Sequence, residues 1–410
     1  MSRRPTRRDV LRAGAGTALV AVAGTTIVLA TRQAAPDRAM WRRPGHAPVL
    51  GLLQATREQL PAIADAGLGA VTLGVPWAQA EPEPGRLDDG VVDDLRGTVE
   101  AARDDGLAVS LSPGLQYPPS WLEERGAARF VDQDGREWHG ETGDDVLDAV
   151  FDPLVQEAQE SFLRRLLGAL DGLPLAAVRV GGLGRGELRY PFDDRDGDAT
   201  TLWAYSAPAL ERSPMPGYRP GEGTDEDAEV VLEWYLDALA DHGRRQAELL
   251  RGLVAEETLL LVLMPSWGLR PGEVAGAVEA GLDGTSRGER QGTVTEGLDW
   301  DRQLAALDGV PGVAACTTWL DPPDQGPSPA DTSPGRYLTG VAARYAVPVW
   351  GENTGGNDAT DLDRCVDRVL GLGLGGLFWM GAADLGDDGR ADLDDLRRAA
   401  ARMGADDDDD

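Results

Sequence analysis

No lysine occurs in the 410 residues; every one of the 39 basic side chains is arginine, set against 70 acidic ones for a net charge of −31. Such a surface repels nucleic acid and anionic lipid, which argues against both as partners. Adaptation to salt and a bias of the source genome account equally for the imbalance. Cysteine is almost absent: Cys316 and Cys365 are too few for a disulfide framework. The histidines, His46, His139 and His242, are scattered without ligand spacing, so no metal site is expected. No GxGxxG follows the first apolar run, which argues against a dinucleotide fold, and no cofactor is expected.

Long uncharged runs are also lacking, with one exception. Thr6-Arg7-Arg8-Asp9-Val10-Leu11-Arg12 precedes an uncharged stretch from Ala13 to Ala30. Paired arginines before a weakly apolar segment rich in Gly, Ala and Thr read as a twin-arginine export signal, with the linker ending near residue 35. Left uncleaved, the segment would tether the chain to the membrane. Either way, the folded part is expected to work outside the cytoplasmic membrane, in the cell envelope or beyond it, as a monomer by default.

What is present is a regular alternation. Short apolar runs begin at Val49, Gly69, Leu107, Leu175, Leu259, Gly312, Ala346 and Gly375. Amphipathic stretches such as VVDDLRGTVEAARDDG (Val91 to Gly106) and EVVLEWYLDALADHGRRQAELLRGL (Glu229 to Leu253) lie between them. Continuous apolar strands alternating with helices predict a parallel sheet covered on both faces, and eight such units predict an α/β chain closed into a (β/α)8 barrel over residues 46–403. The segments Tyr190–Ala228 and Gly268–Asp299 follow strand ends, where barrels grow the loops that shape a cleft. Residues 404–410 are expected to form an acidic disordered tail.

Chemistry in such barrels gathers at the carboxyl ends of the strands. Of the 11 tryptophans, Trp77, Trp267, Trp319, Trp350 and Trp379 fall at these ends. Each alone is as well explained by core packing; together they predict a cleft of flat rings suited to the C–H faces of sugars. Carboxylates stand at the same rim: Glu187, Asp321, Glu352 and Asp384. Glycoside hydrolysis needs two carboxyl groups flanking the scissile bond, one protonated and one ionised. Rings around Glu187 would disfavour its anion and suit it to donate a proton.

The stretch GGLGRGELRYP, Gly181 to Pro191, resembles the strand-four motif of the β-amylases, glycoside hydrolase family 14. VLEWYLDALADHG (Val231 to Gly243), TTWLD (Thr317 to Asp321) and VWGENTGGNDAT (Val349 to Thr360) are similar to further motifs of that family in the same order. The resemblance implies Glu187 as general acid, Asp321 as general base and inversion at the anomeric carbon. The chain departs from the family in carrying aspartate for glutamate at the base, in having no lysine near strand five, and in reading AVFDP for the VDNEP loop, which leaves Asp148 or Asp152 as its counterpart.

A second resemblance lies toward the N-terminus. VPWAQAEPEPGRLD (Val75 to Asp88) and YPPSWL (Tyr117 to Leu122) look like patterns of family 42 β-galactosidases, although Gly186 replaces the asparagine that precedes their acid/base. That likeness implies retention, with Glu187 as acid/base and Glu352 as nucleophile. Both resemblances imply a carbohydrate substrate. Arg189, Tyr190 and Asn353 are expected to orient Glu187 or bind sugar hydroxyls, with loop bracing as the alternative for each. A third reading is a glycan-binding barrel that has lost turnover.

Overall fold

The computed structural model describes residues 21–22, 25–26, 47–140, 145–192, 200–283, 293–380 and 390–405. The segment expected to direct export, His46, Asp384 and the last five residues lie outside the described residues, apart from two short strands, Ala21–Val22 and Thr25–Thr26, that pair antiparallel. The chain divides into two compact units, Met1–Ala34 and Ala35–Asp410, and the second holds everything that follows.

All eight apolar runs form strands: β1 (Val49–Leu52), β2 (Ala70–Gly74), β3 (Ala108–Ser112), β4 (Leu175–Val180), β5 (Leu259–Met264), β6 (Val313–Thr317), β7 (Val349–Glu352) and β8 (Gly376–Trp379). Each pairs in parallel with the next, and β8 closes on β1 with Gly376 opposite Val49, so the sheet is a complete (β/α)8 barrel. Closure removes every sheet edge, which is why runs apolar on both faces are stable here.

Several of the intervening helices begin where the sequence supplies a side-chain acceptor. Asp88 accepts from Val91 N at 3.0 Å, and Asp152 accepts from Leu154 N at 2.8 Å with Pro153 next in line. Thr224 and Asp227 form a capping box at the head of Asp225–Arg251. Each satisfies backbone donors that the first turn leaves unpaired, worth about 1 kcal/mol apiece.

Two apolar clusters divide the core. The larger lies between strands and helices; the smaller fills the barrel with Ala70, Ala177, Leu259, Leu261, Leu263, Ala314, Cys316, Trp350 and Phe378. Trp350 stacks on Phe378 with ring centroids 5.6 Å apart. Two glycines make the room: a Cβ on Gly51 would lie 2.7 Å from Phe378, and one on Gly376 only 2.4 Å from Trp350. The plug is therefore thick on the β7, β8 and β1 side, while Thr72, Ser110 and Ser112 keep β2 and β3 thin and polar. The open space of the barrel mouth lies above this uneven floor.

Candidate active site

A cavity of ≈ 760 Å³ opens at the carboxyl ends of the strands, lined among others by Gln54, Thr72, Gln116, Tyr117, Arg179, Arg185, Glu187, Thr318, Trp319, Glu352, Asn353 and Thr354. Glu352 is the last residue of β7 and shares the inward face with Trp350, two residues before it, because strand side chains alternate. Arg179 on β4 shares its face with Ala177 and reaches across to pair with Glu352. The Cys316 thiol lies 3.7 Å from Glu352 Oε1. Burial pushes the Glu352 carboxyl up from its ordinary range, the Arg179 guanidinium opposes this, and the charge of Glu187 adds to the rise. The thiol itself is driven well up by burial, so it stays protonated.

Glu187 arrives by a different route. It stands beyond β4 at the end of a tight loop in which Gly182 N donates to Gly186 O (2.9 Å) and Leu183 N to Glu187 O (3.2 Å). Leu188 N then donates to Leu263 O (3.0 Å), tying the loop back to β5. The fold-back needs Gly181, where a Cβ would lie 2.6 Å from Gly186 O, and it holds Arg185 at a left-handed φ of 56° facing the cavity. Thr318, just after β6, donates its hydroxyl to Glu187 Oε1 at 2.6 Å. Arg189 Nε stands 3.1 Å from Glu187 Oε2. A hydroxyl and a guanidinium thus surround the carboxyl in place of the expected rings.

The remaining expected site residues divide. Trp319 lines the cavity, half-buried, and so does Asn353, whose amide donates to Gly356 O (3.0 Å) and whose carbonyl oxygen accepts from Met380 N (2.7 Å). Trp77, Trp267, Trp350 and Trp379 are buried and do not line it. Trp350 is the barrel plug, and Trp379 packs with the outer cluster because Phe378 takes the inward position beside it. Trp77 stacks on Phe162 at 5.3 Å and donates to Glu81 Oε2 at 2.9 Å. Tyr190 is likewise buried, stacked 4.0 Å from Tyr235 and bonded to its carbonyl at 2.9 Å.

Asp321 is turned to the loops. Its two oxygens accept from Thr354 N and Thr354 Oγ1, both at 2.6 Å, and it is not among the residues lining the cavity. Asp152 caps its helix, and Asp148 is buried with its oxygens taken by Phe151 N (2.9 Å) and Ser206 Oγ (2.6 Å). The two N-terminal motifs meet on one buried residue, Glu81. Glu81 accepts from Trp77, from Gly85 N (2.6 Å) and from Arg165 (2.5 Å), while Trp121 donates to its carbonyl at 3.1 Å. That cluster folds the β2 loop and stands apart from the cavity.

Sequence reasoning missed Arg179, Thr318, Tyr117 and Gln116. Thr318 and Tyr117 lie within the TTWLD and YPPSWL stretches without having been singled out there, and Arg179 carried a signal of its own, a charge inside an otherwise apolar strand run. Among the described residues, no three metal-ligating side chains come together, and no helix is long and apolar enough to cross a membrane.

No family model matches the chain. A β-galactosidase of Thermus thermophilus is 39% identical over 82 residues, 20% of this chain; the match spans only 12% of that relative's length. Among solved structures, the catalytic domain of a β-amylase from Paenibacillus polymyxa superposes with a TM-score of 0.65 at 16% identity, over 86% of this chain and 97% of that one. A β-galactosidase from Marinomonas ef1 gives 0.57 at 15% identity, over 87% of this chain and 58% of that one. One from Halorubrum lacusprofundi gives 0.56 at 16%, over 87% and 57%. At these identities the likeness is one of fold: this chain is a (β/α)8 barrel of the architecture that those glycosidases use.

Proposed function

We propose that the protein is a retaining glycoside hydrolase with Glu187 as acid/base and Glu352 as nucleophile. The observation that carries this reading is the pairing of two buried carboxylates, from β7 and from the loop after β4, on one cavity at the barrel mouth. Glu187 protonates the glycosidic oxygen as it leaves, and Glu352 attacks the anomeric carbon to give a glycosyl-enzyme. Water then displaces Glu352 while Glu187 takes its proton. Arg179, in contact with Glu352, favours the ionised form that attack requires. Trp319 and Tyr117 offer rings to the sugar faces, and Gln116 and Asn353 offer amides to its hydroxyls.

The β-galactosidase match and the three barrel likenesses support a carbohydrate substrate. A second reading, inversion with Asp321 activating water, is favoured by the extent of the β-amylase superposition; the engagement of both Asp321 oxygens by Thr354 weighs against it. The paired arginines Arg7-Arg8 support export by the twin-arginine route. The test is a panel of α- and β-linked oligosaccharides with the unaltered protein and Glu187→Gln. Hydrolysis by the first, with binding but no hydrolysis by the second, is expected. Binding without release by the unaltered protein would establish a lectin-like barrel instead.

A further inference from the structure

Behind Glu187 lies a second buried carboxylate that the mechanism above does not use. Glu296 sits in the segment after β5, 2% exposed, and its backbone carbonyl accepts from Tyr190 N at 3.0 Å. Its side chain accepts a directed hydrogen bond from Arg189 Nη1 at 2.8 Å. The same guanidinium touches Glu187 through Nε at 3.1 Å, an ion contact without the alignment of a hydrogen bond. One cation thus lies between two carboxylates and is aimed at the outer one.

That arrangement matters for a proton donor. A guanidinium devoted to a single carboxylate stabilises the anion and discourages protonation. Among the described residues, the charged and titratable groups around Glu187 are Arg185 and Arg189 from its own loop, Glu296 after β5, Glu352 from β7 with its partner Arg179 from β4, and the protonated thiol of Cys316 from β6. Of the carboxylates among them, Glu352 is matched by Arg179, leaving Glu296 to counter Arg189.

Resting on the glycosidase reading above, we infer that Glu296 is a positioning residue for the general acid: through Arg189 it fixes the guanidinium and takes up its charge, so that Glu187 can hold the proton it must give. Burial raises the Glu296 carboxyl, Arg189 opposes that, and the negative charge of Glu187 raises it further, as expected of two carboxylates sharing one cation.

The experiment uses the full chain and Glu296→Gln, nearly isosteric and still able to accept from Nη1. The kcat/KM is followed against pH on two glycosides of the sugar released in the panel above, one with a phenyl and one with a 2,4-dinitrophenyl leaving group. The first needs a proton on departure and the second does not. The alkaline limb on the phenyl glycoside should move down by about one pH unit, with about a tenfold loss on that limb. On the dinitrophenyl glycoside the rate should stay within about twofold, and Glu296→Asp should restore part of the limb. An unmoved limb, or equal loss on both substrates, would overturn the inference. If Glu296→Gln does not fold, Glu296→Asp carries the same two-substrate comparison, with a smaller displacement expected. Inactivity of the unaltered protein on every glycoside would instead overturn the glycosidase reading, and this inference with it.

Discussion

Replacing Asp148 by asparagine should change how stability responds to acid, by an amount that follows from two buried groups of opposite sign. Burial pushes the Asp148 carboxyl from its ordinary 3.8 up to about 7, with the hydrogen bonds from Ser206 and Phe151 only partly opposing. Between those values the folded chain binds a proton that the unfolded chain has released. The contribution of Asp148 is thus full below pH 3.8 and is withdrawn as pH rises through about 7. Each pH unit in that window is worth up to about 1.4 kcal/mol, and the whole about 4 kcal/mol. His242 acts the other way. Burial lowers it from 6.5 to about 4, so the unfolded chain binds the extra proton and acid destabilises the fold by up to about 3 kcal/mol across that window. In the unaltered protein the two nearly cancel. In Asp148→Asn the histidine acts alone, while the asparagine oxygen still accepts from Phe151 N. Urea titrations at pH 5 and pH 7 measure the effect. The variant should lose about 2–3 kcal/mol more, relative to the unaltered chain, at the lower pH. A difference independent of pH would refute the reasoning.

Other outcomes follow from the packing and the site. Gly376→Ala drives a methyl to 2.4 Å from both the Trp350 ring and Val49 O, and overpacking of this kind costs about 1–3 kcal/mol. Gly168→Ala, in the exposed face of the helix Pro153–Ala169 with open space around it, should gain about 0.5–1 kcal/mol. Thermal unfolding of the pair should therefore shift in opposite directions. Glu352→Gln should lower kcat/KM by about a thousandfold or more, whereas Asp321→Asn, which disturbs only the hold on Thr354, should lower it by less than about tenfold. Equal losses would return Asp321 to the chemistry.

The barrel was legible because its strands are buried on both faces, which leaves continuous apolar runs that no surface strand would carry. The inward position of Glu352 was legible too, since it stands in phase with Trp350 on one strand. The roles of the tryptophans were not. Trp379 and Phe378 are neighbours, and the register of β8 against β1, with Phe378 over the space that Gly51 leaves, decides which ring enters the barrel. Asp321 lies past the end of β6, where strand alternation no longer dictates direction, and a hydrogen bond to Thr354 turns it aside. Glu187 reaches the cavity through a glycine-dependent loop, so its motif signalled the site and Arg189 two residues on, while the Thr318 hydroxyl comes from another strand end by a fold-back that no pattern marks. Glu296 follows no strand pattern, and nothing in its neighbours marks it.

The pairing of Glu187 with Glu352 is tested most directly by the anomeric form of the first product. Proton NMR of a hydrolysis in progress, read before mutarotation, should show the configuration of the substrate retained, as double displacement through Glu352 requires. An inverted first product would contradict the pairing and place the second carboxylate elsewhere.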